Sequence, residues 1–329
     1  MVHPKDLEGT MNLPPIQRSH SAPHSKTLNS NYYAGRIGGN QLYALSPSDA
    51  NFGKVTLNTP DATVTASWPE LLDCRGFREI AVWKMGVLEG VGTCLQTFIS
   101  GLLCTGLIPT VPKTSVGPVF PISLAAIAQI PLISLFIYSA GPISGGHFNP
   151  LITLSTFMTK LTSLPRAILY VSFQCIGAVV GGFILRAALG GPKPLAIIPG
   201  CYVDSSLVKQ SQAFALETVG ALALIFLAFG LGLDPRNGSN PTLAPLFIGM
   251  ASALVLFSTG IGLPGYTGAS TNPARCLGLM AGAGRFTYHY VHWFGSITAA
   301  LINALMYFAI PPYVDYNAAP AWRPTASRV

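Results

Sequence analysis

Two Asn-Pro pairs, Asn149-Pro150 and Asn272-Pro273, are the residues here whose type and spacing could do chemistry, and that chemistry is hydrogen bonding rather than bond making. Asn at a helix N-cap accepts from orphan backbone N–H groups, and Pro at the first helical position loses nothing by lacking a donor. Each pair therefore reads as a loop that starts a helix, the first after Ser144 to Phe148 and the second after Gly268 to Thr271. A single copy would read as a surface turn. Two copies among apolar segments, at equivalent places in the two halves, do not. No nucleophile, base and orienting group are arranged around a plausible cleft, so an enzyme is not expected.

A helix from Asn149 to Lys160 is only roughly 16 Å long, against a hydrocarbon core of about 30 Å. Irregular backbone at membrane depth is tolerated only where protein buries it or water bathes it, so two half-spans imply a wet path between them.

Composition assigns the chain to the membrane class. Half of its residues are hydrophobic, 9% are charged, and the mean hydropathy is +0.47. The formal charge of +7 is no phosphate-binding face: eight of the nineteen Lys and Arg lie at or before Lys84 and the rest are scattered between apolar runs. Nucleic acid is excluded as a partner; the lipid bilayer is expected as one. The six cysteines form no CxxC pair and mostly sit inside apolar runs, so neither a disulfide framework nor a metal site is implied, and no cofactor is expected.

Residues 1–80 are polar and rich in Ser, Asn and Pro; they read as a disordered cytoplasmic tail with a short interfacial turn near Trp68. Residues 81–312 hold six expected spans: about Val82 to Leu107, Val119 to Ala140, Leu164 to Leu189, Ala213 to Leu233, Leu243 to Leu263 and Phe286 to Ala309. Residues 313–329 read as a second cytoplasmic tail. Arg75, Arg78 and Lys84 hold the start of the first span in the cytoplasm, and six spans return the chain there.

The chain repeats itself. Leu88-Glu89 and Leu216-Glu217 open the same Leu-Glu-x-Val-Gly string, and Gly177 and Gly295 fall in matching places of the third and sixth spans. The repeats run over about 82–189 and 211–312. Three spans per half is odd, so the halves are inverted about an axis in the membrane plane, and the half-helix N-termini meet near its middle. Glu89 and Glu217 are the only acids within full spans. Their symmetric placement suits holding the re-entrant loops at depth, with proton-coupled transport as the competing use.

The inverted repeat, the motif running from Ser144 through His147 to Pro150, and Asn272-Pro273-Ala274-Arg275 resemble the aquaporin (major intrinsic protein) family across about residues 82–312. Cys276 directly after Arg275, with a degenerate first motif, is similar to the X intrinsic proteins of fungi and plants. The resemblance implies an all-α membrane fold of six transmembrane helices and two re-entrant half-helices. It implies a passive channel for water and small uncharged solutes of the glycerol, urea, hydrogen peroxide or boric acid class, one pore per subunit of a homotetramer, with the plasma membrane favoured over an internal one.

Two helix N-termini aimed at one spot supply roughly half a positive charge each and repel cations. The amides of Asn149 and Asn272 would turn a passing water so that it cannot relay a proton. Arg275, on the first turn of the second half-helix, is expected at the outer constriction. The family's filter spacing adds Gln129, Gly260 and Ala269, a wide and partly polar set; a register shift at Pro131 would put Ile130 in place of Gln129. His147 either lines the inner vestibule or satisfies a backbone carbonyl, and Cys276 is expected to pack against a neighbouring span. Leu151 stands where most relatives carry Ala, adding volume where the half-helices touch. A plug there, with the tail recruiting partners, is the non-conducting scaffold or sensor that competes with the channel.

Overall fold

The computed structural model describes residues 67–110, 119–234 and 243–310, with side chains of 108–110 left aside. Of the tails expected over 1–80 and 313–329, residues 1–66 and all of 313–329 lie outside the described residues.

Helix α1 (Trp68–Leu71) starts at Ser67, whose backbone N–H and hydroxyl donate to the Glu70 carboxylate at 2.6 and 2.7 Å. These bonds hold the Glu70 carboxyl below its ordinary pKa. A 3₁₀ turn over Cys74–Arg78 follows. This stretch, which the sequence assigns to the tail, is packed: Trp68 meets Phe157 edge to face, and Leu71 is fully buried.

Among the described residues, six helices are long and apolar enough to cross a membrane: α2 (Ile80–Thr110), α3 (Val119–Ser144), α5 (Leu164–Ala188), α6 (Gln210–Ala228, continued by a π-helical turn through Leu233), α7 (Ala244–Gly262) and α9 (His289–Ala309). Two short ones, α4 (Pro150–Met158) and α8 (Pro273–Ala283), fall between α3 and α5 and between α7 and α9. All eight lie where the sequence expects them, with ends moved by a few residues.

The polarity of α2 is inverted relative to a water-soluble helix. Val87, Val91, Leu95 and Ile99 are exposed, while Glu89, Thr93, Gln96, Thr97 and Ser100 are buried. Such a helix presents its apolar face to lipid and its polar face to the bundle. Small residues bring the helices together: a Cβ at Gly177 would strike the carbonyl of Gly90, one residue after Glu89, and a Cβ at Gly295 would meet the Cβ of Glu217 at 2.9 Å. The two matched glycines thus seat α5 on α2 and α9 on α6 at the level of the two glutamates.

Between α5 and α6 the chain turns through Gly190 to Lys209 and pairs with the segment before α8. Val203 and Tyr266 form an antiparallel bridge, flanked by bonds from Asp204 N to Gly265 O (2.8 Å) and Tyr202 N to Thr267 Oγ1 (2.9 Å).

Candidate functional site

Asn149 and Asn272 are the N-caps of α4 and α8, each in extended backbone conformation. Asn149 Oδ1 accepts from Leu151 N (2.9 Å), and Asn272 Oδ1 accepts from Arg275 N (3.1 Å). The amide nitrogens then cross over. Asn149 Nδ2 donates to Thr271 O at 2.7 Å and Asn272 Nδ2 donates to Phe148 O at 3.0 Å, so each grips the carbonyl just before the other. Phe148 (φ 47°) and Thr271 (φ 49°) hold left-handed backbone conformations that point those carbonyls across, a cost non-glycine residues bear at functional sites. One N–H of each amide is consumed and one is left over.

The two glutamates hold the loops from behind. Glu89 accepts from His147 N (3.0 Å), Phe148 N, Ser144 Oγ (2.6 Å) and Gln174 Nε2 (3.0 Å). Glu217 accepts from Ser270 N (3.0 Å), Ser270 Oγ (2.9 Å) and Tyr266 Oη (2.8 Å), and lies 2.9 Å from His292 Nδ1. Both carboxylates are fully buried, and neither borders either of the two cavities along the bundle.

Among the described residues, two cavities along the bundle meet at the Asn-Pro loops and Arg275. The inner one, about 50 Å³, is bordered by His147, Asn149, Asn272, Ile137, Leu233 and Ile248. The outer one, about 430 Å³, is walled by apolar side chains including Ile122, Leu256 and Ile261. Six residues border both, and all are polar: Ser100, Gln129, Ser252, Ser270, Thr271 and Arg275. Gln129 reaches Ser252 Oγ at 3.4 Å, and Arg275 Nη2 donates to Gly200 O at 2.9 Å and to Ser270 O at 3.4 Å.

Of the four expected filter residues, Gln129 and Arg275 stand in this shared ring, whereas Gly260 and Ala269 border the outer cavity alone. Ile130, the alternative to Gln129, borders neither cavity. Ser100 and Ser252 were not expected. Ser100 carries a sequence signal, since it continues the polar stripe Glu89, Thr93, Gln96 at helical spacing; Ser252 carries none. His147 does line the inner cavity, and its Nδ1 lies 3.0 Å from Thr153 Oγ1, so its partner is a hydroxyl and not a carbonyl.

One expectation needs correction. Cys276 does more than pack against a neighbouring span: it is disulfide-bonded to Cys201, with Cα atoms 5.6 Å apart across a sequence separation of 75. The missing CxxC pattern misleads because the partner lies in a loop folded back over the start of α8. Leu151 is fully buried and belongs to an apolar cluster that also holds Ile137, Ala221 and Ile225. Pro150, Pro273 and Ala274 are buried in the helix starts.

The family model described as Major intrinsic protein matches residues 76–307. Aquaporin TIP3-2 of Zea mays is 34% identical over 52% of this chain and 61% of its own length. Aquaporin TIP1-1 of Arabidopsis thaliana is 35% identical over 59% of this chain and 74% of its own, and Aquaporin PIP1-1 of the same plant is 29% identical over 69% and 79%. Among solved structures, the aquaglyceroporin of Plasmodium falciparum aligns with a TM-score of 0.57 at 17% identity, covering 69% of this chain and 96% of its own.

Proposed function

The chain belongs to the major intrinsic protein family, and on that premise we propose that it is a passive channel for water and small uncharged solutes that excludes ions and protons. The observation carrying this reading is the reciprocal pairing of Asn149 and Asn272. It ties two helix N-termini together and leaves one amide N–H on each to meet a passing oxygen.

The outer cavity favours a solute range wider than water. Water occupies about 30 Å³ in the liquid, and the cavity of about 430 Å³ has apolar walls and a polar floor. An aliphatic hydroxyl compound, urea, boric acid or hydrogen peroxide could rest there before meeting Gln129 and Arg275. Passive flux is favoured over proton coupling because Glu89 and Glu217 spend their oxygens on the loops and border neither cavity. The non-conducting scaffold draws support from the small inner cavity alone. The homotetramer, the cytoplasmic placement of both termini and the plasma membrane rest on the family resemblance and the charge pattern.

The test is stopped-flow permeability of reconstituted vesicles to water, glycerol, urea and peroxide, with Gly260→His as a narrowing control. Flux that dissipates gradients without a proton current supports the channel. Correctly inserted protein that passes nothing would favour the scaffold, and pH-driven accumulation against a gradient would favour a transporter.

A further inference from the structure

Two consecutive residues of the loop between α5 and α6 are tied to two consecutive residues of the first turn of α8. Gly200 O accepts from Arg275 Nη2 at 2.9 Å, and Cys201 is disulfide-bonded to Cys276. We propose that Gly200 and the Cys201–Cys276 disulfide are positioning residues that set the solute size limit of the ring between the cavities by fixing the Arg275 guanidinium. This rests on the channel reading above.

Three observations carry it. The Gly200 bond is the short one made by the guanidinium, since Ser270 O is 3.4 Å away, so the Gly200 carbonyl decides where the charge sits. Gly200 has φ +66°, and a Cβ there would come 2.8 Å from Arg275 Nη1, so the loop approaches the arginine as closely as a backbone can. The next anchor of the loop lies beyond Cys201, where Tyr202 N donates to Thr267 Oγ1. Without the covalent link, the stretch ahead of Tyr202 keeps the apolar packing of Leu195 and Ile198 in the cluster with Leu279 and Met280, and the Arg275 bond is left as the directional tie on the Gly200 carbonyl. The carbonyl then gains freedom, the guanidinium follows it or turns away, and the ring that Arg275 shares with Ser100, Gln129 and Ser252 widens on that side.

The switch is chemical and balanced. An external dithiol reduces the disulfide to two thiols and is itself oxidised to a cyclic disulfide, and an oxidant restores the link. Disulfides persist on the oxidising side of a membrane, so exposure to reductant is what would alter selectivity.

The experiment uses full-length protein in vesicles with the free cysteines Cys74, Cys94, Cys104 and Cys175 changed to Ser, because Cys104 borders the outer cavity and would also react. Water, glycerol and erythritol permeabilities are measured before reduction, after dithiol treatment and after reoxidation, with the thiol state read by alkylation and mass. The expected result is a several-fold rise in the glycerol-to-water and erythritol-to-glycerol ratios on reduction, reversed on reoxidation. Cys201→Ser with Cys276→Ser should show the raised ratios in both conditions. Unchanged ratios in protein shown to be fully reduced overturn the proposal, even if thermal stability drops, because the link is then a structural staple only. Absence of flux in every state overturns the channel reading itself, and this proposal with it.

Discussion

Gln174 and His292 hold the same place in opposite halves of the bundle. Each stands three residues before a packing glycine, Gly177 or Gly295, and each approaches a buried carboxylate, Gln174 Nε2 donating to Glu89 at 3.0 Å and His292 Nδ1 lying 2.9 Å from Glu217. Two different side chains serve one geometric need, which is to place a nitrogen against a glutamate that water cannot reach.

Exchange between the halves should therefore be tolerated. His292→Gln is expected to keep water permeability and thermal stability close to wild type, since an amide in that place already serves Glu89. His292→Leu leaves a fully buried carboxylate one donor short and should cost about 1–3 kcal/mol. Detergent-solubilised thermal unfolding of both variants checks this; equal loss in the two would show that the imidazole itself is required.

Glu89→Ala should fail for a different reason than a proton carrier would. Two backbone donors, His147 N and Phe148 N, lose their acceptor together with Ser144 Oγ and Gln174 Nε2. Each buried unpaired group costs about 1–3 kcal/mol, so folded yield should fall before transport can be assayed. Glu89→Gln, which keeps an acceptor oxygen, should yield protein that still equilibrates solutes. Wild-type vesicles given a pH gradient should show no solute accumulation, and accumulation abolished in Glu89→Gln would reverse this assignment.

The fold is legible in the sequence because its signals are local or repeated. Apolar length marks the spans, Asn-Pro marks the half-helix starts, and the duplicated Leu-Glu-x-Val-Gly string forces inversion by the odd number of spans per half. The site is legible where a motif reaches it, as at Asn149, Asn272 and Arg275. It is not legible where a loop closes over the motif from far along the chain. Gly200 and Cys201 lie in a loop with no periodicity and no motif, and they reach α8 through the pairing around Val203 and Tyr266 and the packing of Ile198 in the cluster with Leu279. Ser252 hides for another reason: a lone Ser in an apolar helix looks the same whether it faces lipid, a neighbour or a cavity.

The placement of Ser252 shifts where narrowing should bite. It borders both cavities, whereas Gly260 borders the outer one, where a Cβ would already come 3.1 Å from Ile122 Cγ2. Ser252→Leu is expected to abolish glycerol and urea permeability while leaving part of the water flux, and to do so more completely than Gly260→His. Stopped-flow shrinkage with each solute ranks the two; the reverse ranking would move the narrow ring outward to Gly260.

Leu151→Ala separates the core from the pore. The side chain is fully buried in the cluster with Ile137, Ala221 and Ile225 and borders neither cavity. Truncating a buried Leu costs about 2–5 kcal/mol, through lost transfer energy and the void left behind. The variant should therefore unfold at lower temperature yet pass water at the wild-type rate per folded molecule. Were Leu151 a plug between the half-helices, as the scaffold reading requires, the same truncation would raise water flux instead. Measuring unfolding temperature and unit permeability on one preparation tells these apart, because a packing residue moves the first and a plug moves the second.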